Sequence, residues 1–335
     1  MKDKLKSFLS NIKSNYKMYI IYLLIVPWFF IKFDYYVYSP GGLIELSDRI
    51  NIDTNYRVDG SFNLTYVSSK NGTLPIILLS KIIPSWDLVS IDSSRIENES
   101  SEDIIKRNQI YLKETSYDAI IAAFDAAGKE YKVNKNDVTV TYVYDKSNSN
   151  LKIGDIIKRI NGVSIDSYES LSNEVSKYNE GDKLDIVVER NGKIINCYSI
   201  LYSDNDRVVI GINLSEIKTI ETNPSVEFIF KNNESGSSRG LMCALEIYNK
   251  ITEYDLTKGK IIAGTGTIDE NGKVGAIDGV KYKLAGAVNK GAQVFIVPTS
   301  NYEEAIKLKK ENNYNIVIIE ADTLKNVIEK LKKLK

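Results

Sequence analysis

Histidine is missing from all 335 residues of the chain, which limits its possible chemistry. A serine becomes a useful nucleophile only when a neighbouring base takes its proton, and in the Ser-His-Asp triad that base is histidine. A lysine is therefore the natural remaining base for any serine that performs covalent catalysis in this chain. Histidine is also a common zinc ligand, so its absence argues against zinc sites.

Cysteine is nearly as scarce, since only Cys197 and Cys243 are present. Both fall in apolar or strand-like stretches, which predicts two buried thiols rather than a disulfide. We predict no metal and no cofactor. Lysine plus arginine equals aspartate plus glutamate at 44 each, so charge gives no case for a nucleic-acid partner. The Walker A pattern is absent as well, so no ATPase motor is expected.

One charge-free apolar run, residues 18–31, stands near the start of the chain. Lysines dominate the residues before it, and the positive-inside rule then places the N-terminus in the cytoplasm. We predict that residues 1–33 form a cytoplasmic tail and a single-pass transmembrane anchor in the cell membrane, with residues 34–335 outside. A cleaved signal peptide is disfavoured because bulky residues 33–36 follow the run. A buried core helix is the third reading.

The rest of the chain predicts an α+β multidomain protein. Residues 34–133 are expected to form an extracytoplasmic α/β domain of their own, with a helix over 101–127 that ends at Gly128. Residues 134–205 and 206–335 form two further units. The first follows a strand–turn–strand–helix–strand–strand order, with Asn-Gly turns and a helix over 167–178.

The phrase Leu151-Lys152-Ile153-Gly154-Asp155-Ile156-Ile157 within that order resembles a PDZ domain of the bacterial protease-associated kind. The resemblance implies that an extended peptide adds as a strand to an exposed sheet edge. We expect this edge near residues 137–144, facing the helix over 167–178. A Gly-Leu-Gly-Phe type carboxylate loop is not visible, and a spacer domain that binds nothing is the alternative.

The last unit, residues 206–335, contains a serine that is flanked by glycines. Ser238 lies between Gly236 and Gly240, just before an apolar helix whose free N–H groups favour negative charge at its start. Lys283 follows 45 residues later among small apolar residues, a setting that is compatible with burial and a lowered pKa. Either residue alone is weak support for catalysis.

Several sequence motifs taken together are a more specific signal for catalysis than either residue alone. Ser238-Arg239-Gly240-Leu241-Met242 is followed by the segments 260–268, 272–277 and 281–287. Their order and spacing resemble the Lon proteolytic domain over 236–298 and more loosely over 206–335. With the anchor and the PDZ-like unit, the chain is similar to membrane-anchored PDZ–Lon-like serine proteases of Gram-positive type. The resemblance implies that Ser238 is the nucleophile, Lys283 the general base, and Thr265 the hydrogen-bond partner of the lysine.

The same resemblance implies protein or peptide substrates, and Lon-like domains often assemble into homo-oligomeric rings. The apolar run itself implies membrane lipid as the partner of residues 18–31. This chain departs from the family pattern at Ser237, Arg239 and Asp278, where proline, alanine and glycine are usual. Arg239 could polarise or obstruct the oxyanion site, and Asp278 could hold Lys283 protonated. A catalytically weakened peptide-binding scaffold is therefore the second hypothesis, and Ser235 and Ser237 are rival nucleophiles.

Overall fold

The computed structural model describes residues 12–54, 56–91, 99–231, 234 and 236–334. The α-helices are α1 (Tyr16–Ile25), α2 (Leu74–Ile82), α3 (Ser101–Ala127), α4 (Tyr168–Val175), α5 (Gly240–Ile251), α6 (Val280–Asn289), α7 (Thr299–Glu311) and α8 (Leu324–Lys332). Short 3-10 turns cover Val26–Phe29 and Leu46–Asp48.

The strands fall into two large sheets and several short ladders. They are β1 (Lys32–Glu45), β2 (Ile50–Ile52), β3 (Ser61–Thr73), β4 (Asp87–Ser90), β5 (Tyr131–Val143), β6 (Asn148–Ser149), β7 (Ile156–Ile160), β8 (Val163–Ser164), β9 (Lys183–Arg190), β10 (Lys193–Ile200), β11 (Tyr202–Asp204), β12 (Arg207–Val209), β13 (Ile212–Thr222), β14 (Val226–Phe228), β15 (Ile261–Gly264), β16 (Thr267–Ile268), β17 (Val274–Gly275), β18 (Val294–Pro298) and β19 (Val317–Ala321).

A six-stranded sheet forms the body that holds Ser238 and Lys283. Its order is β19-β18-β15-β3-β1-β4, with β19, β18, β15 and β3 parallel and β1 antiparallel to both its neighbours. Successive side chains of a strand point to opposite faces, so each buried strand contributes to two cores. Ile262 joins the core formed with α3, α5 and α8, while its neighbour Ala263 joins the core formed with α6 and α7. The body is therefore a sheet covered by helices on both faces.

The strands that make up this sheet do not follow the domain division expected from the sequence. Residues 34–133 were expected to form a separate domain, but β1, β3 and β4 belong to the same sheet as the C-terminal strands. Ser61 pairs with Ile261, 200 positions later in the chain. The amphipathic pattern of a strand shows that it pairs but does not show which partner it takes, so this long-range pairing was invisible in the sequence.

The second sheet is inserted between the two parts of the first. Its order is β13-β5-β7-β9-β10-β6, and α4 packs its apolar face, including Leu171 and Val175, into the core of this sheet. The expected boundary at 205 is too early for this unit, because β13 continues the sheet as far as Thr222. Helix α3 matches its expected bounds, and Gly128 ends it in the left-handed conformation with φ 64°.

The apolar run near the start of the chain is partly helical. Helix α1 covers Tyr16–Ile25, and the 3-10 turn at Val26–Phe29 follows, with Pro27 in its first turn. Within the residues described, we find no helix that is both long enough and apolar enough to cross a membrane. The basic residues at positions 2, 4 and 6, on which the expected orientation partly rests, lie outside the described residues.

Candidate active site

The fold brings together the three residues named for catalysis by the sequence. The Lys283 Nζ lies 3.1 Å from the Ser238 Oγ and 3.1 Å from the Thr265 Oγ1. These distances are within the reach of direct proton transfer from a nucleophile to a base. Lys283 and Thr265 are buried, at 5% and 1% exposed, whereas Ser238 is half-buried.

Burial makes Lys283 suitable as a base near neutral pH. Desolvation disfavours the charged ammonium and lowers the pKa of Lys283 from 10.5 to about 8. The Asp278 carboxylate raises this pKa, but its effect is smaller than that of burial. Asp278 is exposed, so water screens its charge. In the neutral amine, Nζ can donate to the Thr265 hydroxyl while its lone pair accepts the Ser238 proton.

Three hydrogen bonds position the peptide segment around Ser238. The Thr265 Oγ1 donates to the Ser238 carbonyl at 3.1 Å, and the Gly266 N–H donates to the same carbonyl at 2.8 Å. The Leu241 N–H in turn donates to the Gly266 carbonyl at 3.1 Å. The end of β15 and the start of α5 are thereby tied together, and Ser238 cannot move independently of Thr265.

The local backbone and packing favour glycine at both positions that flank the serine, Gly236 and Gly240. Gly236 has φ 94°, and its N–H donates to the Asn108 carbonyl of α3 at 3.4 Å. A Cβ at Gly240 would lie 2.4 Å from the Thr115 Oγ1 and 2.7 Å from the Ile268 Cγ2, so only glycine fits there. Helix α5 begins at Gly240, and its positive end lies beside the nucleophile turn. This field favours an oxyanion that develops near Ser238.

Arg239 is buried and contacts the segment that precedes the nucleophile turn. Its guanidinium carbon lies 4.6 Å from the centre of the Phe230 ring, and its Nη1 lies 3.7 Å from the Glu234 carboxylate. Glu234 also forms an ion pair with Arg49 at 2.9 Å. These contacts give the arginine a structural position that its sequence context did not predict.

The structure describes only one of the two serines named as rival nucleophiles. Ser237 is half-buried, and its carbonyl accepts a hydrogen bond from the Thr115 hydroxyl at 3.3 Å. Ser235 lies outside the described residues. The two cysteines are free and buried, as expected from their apolar surroundings.

A groove of about 910 Å³ lies on the second sheet, between α4 and β13. Leu171, Val175, Ile212 and Leu214 supply apolar lining, and Arg207 and Gly211 are also part of the wall. The strand near residues 137–144, which was expected to form the exposed edge of the sheet, is not an edge strand, because β13 pairs with β5 along that length. The outermost strand beside α4 is β13 instead.

Sequence reasoning missed β13 because the expected domain ended at residue 205. The signal was the apolar-Gly-apolar phrase Ile210-Gly211-Ile212 directly before a strand pattern. Tyr168 partly occupies the free edge of this strand, since its hydroxyl donates to the Leu214 carbonyl at 3.0 Å.

Helix α3 contacts both the groove strand and the nucleophile turn. The Glu114 carboxylate accepts a hydrogen bond from Ser215 of β13 at 3.0 Å, and the next residue, Thr115, donates to Ser237. Burial raises the pKa of Glu114, and its hydrogen bond with Ser215 acts against that rise. Two consecutive residues of one helix therefore join the two sheets.

Two family models match the chain. Residues 127–198 match the PDZ domain, and residues 232–333 match the Lon protease (S16) C-terminal proteolytic domain. The chain therefore carries a PDZ domain and a Lon-type proteolytic domain, and the six-stranded body described above contains the second match. Together these domains support a serine peptidase.

Single relatives resemble parts of the chain. Lon protease homolog 2, peroxisomal, of Caenorhabditis briggsae is 32% identical over 97 residues, which are 29% of this chain and 12% of that protein. The chain thus spans a small fraction of the length of this relative.

Solved structures are similar to part of the chain. The PDZ domain of an SdrC-like protein from Listeria monocytogenes is 25% identical, with 25% of this chain and 92% of that chain covered and a TM-score of 0.23. A protein from Geobacillus thermodenitrificans is 22% identical, with 23% and 94% covered and a TM-score of 0.22.

Burial of Lys283 should cost stability. Its pKa is about 8 in the folded chain against 10.5 as the reference value, so Lys283→Met should raise the free energy of unfolding by about 2–3 kcal/mol at pH 7. The gain should be complete below pH 8 and should disappear above 10.5, where lysine is neutral in both states. Urea unfolding at several pH values measures this difference.

Lys281→Met is the matched control, because Lys281 is 38% exposed and forms an ion pair with Asp87 at 2.7 Å. This control should leave stability unchanged or lower it by less than about 1 kcal/mol. A loss of stability in Lys283→Met at pH 7 would contradict the assignment of a strained, desolvated lysine.

Proposed function

We propose that the chain is an ATP-independent serine endopeptidase that uses Ser238 as nucleophile and Lys283 as general base. The observation that carries the proposal is the 3.1 Å separation of a half-buried hydroxyl from a buried amine whose pKa is lowered to about 8. An amine with such a pKa is about one-fifth neutral at pH 7.4, against less than about one part in a thousand for an ordinary lysine, so a usable fraction can accept the hydroxyl proton. The absence of histidine leaves no imidazole to take this role.

The proposed reaction follows the order of acyl transfer. The Ser238 Oγ attacks the scissile carbonyl, and its proton passes to the Lys283 Nζ as the new C–O bond forms. The tetrahedral intermediate carries its negative charge near the start of α5. It collapses with cleavage of the C–N bond, and Nζ gives its proton to the leaving amine. Water, deprotonated by Nζ, then hydrolyses the acyl-enzyme and regenerates Ser238.

Thr265 is proposed as the residue that keeps the amine oriented. Its hydroxyl accepts from Nζ and donates to the Ser238 carbonyl, so the base and the nucleophile share one partner. A Thr265 hydroxyl in this position also supplies a neutral partner, which does not favour the charged ammonium as a carboxylate would.

Two observations favour the peptidase over the scaffold hypothesis. Arg239, one reason for that hypothesis, packs on Phe230 and pairs with Glu234. Asp278, the other reason, is exposed, and burial outweighs its effect on the pKa of Lys283. Neither departure from the family pattern therefore carries an argument against activity.

The PDZ groove is proposed to hold a peptide segment of the substrate. Its apolar lining and the free edge of β13 are suited to an extended chain that adds as a strand. Arg207 and Gly211 both line this groove, and the positive charge of Arg207 would complement the carboxylate at the C-terminus of a bound peptide. Without an ATPase motor, unfolded or loosely folded segments are the expected substrates.

We also propose that residues 18–31 attach the chain to a membrane and that residues 34–335 lie on its outer face. The charge-free composition of this run and the lysines before it support that placement.

Hydrolysis of casein without nucleotide tests the proposed chemistry. Ser238→Ala and Lys283→Met should each reduce kcat/KM by about a thousandfold or more, because they remove the nucleophile or its base. Ser237→Ala is the matched control and should stay within about threefold of the unchanged chain. Equal rates for all variants would overturn the peptidase proposal, and a loss confined to Ser237→Ala would assign the nucleophile to the other serine.

The pH dependence tests Lys283 as the base. The neutral amine is the active form, so kcat/KM should rise with pH through about 8 and fall away below it. Asp278→Asn removes the charge that raises this pKa, so its profile should move to lower pH. Glu303→Gln, an exposed change on α7, is the control and should leave the profile in place. A profile that Asp278→Asn moves to higher pH would contradict the electrostatic assignment.

Tyr168 should compete with a bound peptide for the edge of β13. Tyr168→Phe releases the Leu214 carbonyl, so a peptide that adds to this edge gains one hydrogen-bond acceptor, worth about 0.5–1.5 kcal/mol. Binding of a fluorescent, unstructured peptide with an apolar C-terminal residue should tighten by about two- to tenfold. An amidated peptide is the control for the carboxylate. Weaker binding to Tyr168→Phe would mean that the tyrosine supports the ligand instead.

A further inference from the structure

Helix α2 is largely apolar and is only partly covered by the described residues of the fold. All of its residues except Ser80 and Lys81 are apolar, yet none of them is buried. Leu78 is 56% exposed and Ile82 is 75% exposed. A folded body in water rarely leaves a continuous apolar helix of this kind uncovered, so the surface requires an apolar partner.

The position of α2 indicates which partner this is. Strand β1 begins at Lys32, directly after the apolar run, and Lys32 pairs with Thr73, the residue directly before α2. Both apolar segments therefore leave the same end of the β1–β3 ladder. Helix α2 also contacts the 3-10 turn at Val26–Phe29. The two segments form one continuous apolar surface, which we call the apolar platform (residues 16–31 and 74–83).

The rim of the apolar platform has the chemistry of a lipid interface. Residues 12–33 and 60–86 contain no aspartate or glutamate, and their charged residues are all lysines. Asp34 and Asp87 directly follow these ranges, and Asp87 is paired with Lys281 at 2.7 Å. The Lys70 Nζ lies 5.1 Å from the centre of the ring of Trp86, a residue in the segment between α2 and β4. Tryptophan beside lysine is typical of the boundary between acyl chains and anionic headgroups.

We propose that α2 lies in the surface of a lipid bilayer, as a second lipid contact beside residues 18–31. The inference rests on the proposed attachment of residues 18–31 and extends it to the folded body. A second copy of the chain is a weaker candidate for the partner. In a two-fold dimer the same lysine-rimmed surface would face itself, so like charges would oppose each other. Two lipid contacts on one rigid ladder hold the proteolytic body in a fixed orientation to the membrane.

Tryptophan fluorescence of the full chain tests this placement, because Trp28 and Trp86 are its two tryptophans. The Trp28→Phe variant leaves Trp86 as the sole reporter beside α2. It is mixed with vesicles of phosphatidylcholine and phosphatidylglycerol in equal parts, with or without bromine near the headgroup end of the acyl chains. Trp86 emission should fall roughly twofold in the brominated vesicles, because an interfacial helix is buried among these acyl carbons.

Two further variants serve as controls. A triple variant with Trp28→Phe, Trp86→Phe and Ile194→Trp moves the reporter to an exposed position of β10 in the second sheet and should show no quenching. Adding Leu78→Glu and Ile82→Glu to the Trp28→Phe variant should reduce the quenching of Trp86, while casein hydrolysis stays unchanged. Both replaced side chains are exposed, so these changes leave the core intact.

The outcomes separate the inference from the proposals on which it rests. Vesicle binding with no quenching of Trp86 would overturn the inference and leave the attachment by residues 18–31 in place. Failure of the chain to float with vesicles would overturn both, and the casein assay would still report the peptidase separately. Disulfide-linked dimers formed through Leu78→Cys in the absence of lipid would assign the platform to a second copy.

Discussion

A buried lysine whose pKa is lowered to about 8 is the constraint on which the rest of the proteolytic body depends. An amine is held uncharged near neutral pH only where water is excluded, and exclusion needs a closed core around it. The core on one face of the sheet provides that closure, since Leu284 and Ala287 of the same helix are buried in it. The cost of burying Lys283 is therefore offset by packing that extends across α6, α7 and the sheet.

Ser238, the proposed nucleophile, is positioned by the opposite face of the same sheet. The turn with Ser238 leads into helix α5, and Thr265 follows the end of β15, so Ser238 and Lys283 approach each other across the end of one strand. Hydrogen bonds from Thr265 and Gly266 to the Ser238 carbonyl hold the serine at a fixed distance from the end of β15. Helix α3 adds a contact from the PDZ sheet, because Glu114 and Thr115 reach β13 and the nucleophile turn from consecutive positions.

Much of the local structure follows from the residues alone. The apolar spacing and Gly128 define α3 correctly at both ends. The identities of Ser238, Lys283 and Thr265 came from a resemblance in several phrases at matching spacing. These are local signals, since a helix face, a turn glycine and a motif are all read within a few residues.

The sequence by itself determined which chemistry was available, because a chain without histidine leaves lysine as the base for a serine nucleophile. Tertiary structure alone decided that Lys283 is buried enough for its pKa to fall to about 8 and that it lies 3.1 Å from Ser238. It also decided that β3 pairs with β15 across 200 positions and that β13 is the free edge of the PDZ sheet. The physical reason is that pairing partners and desolvation depend on groups distant in the chain, whereas local patterns depend only on neighbours.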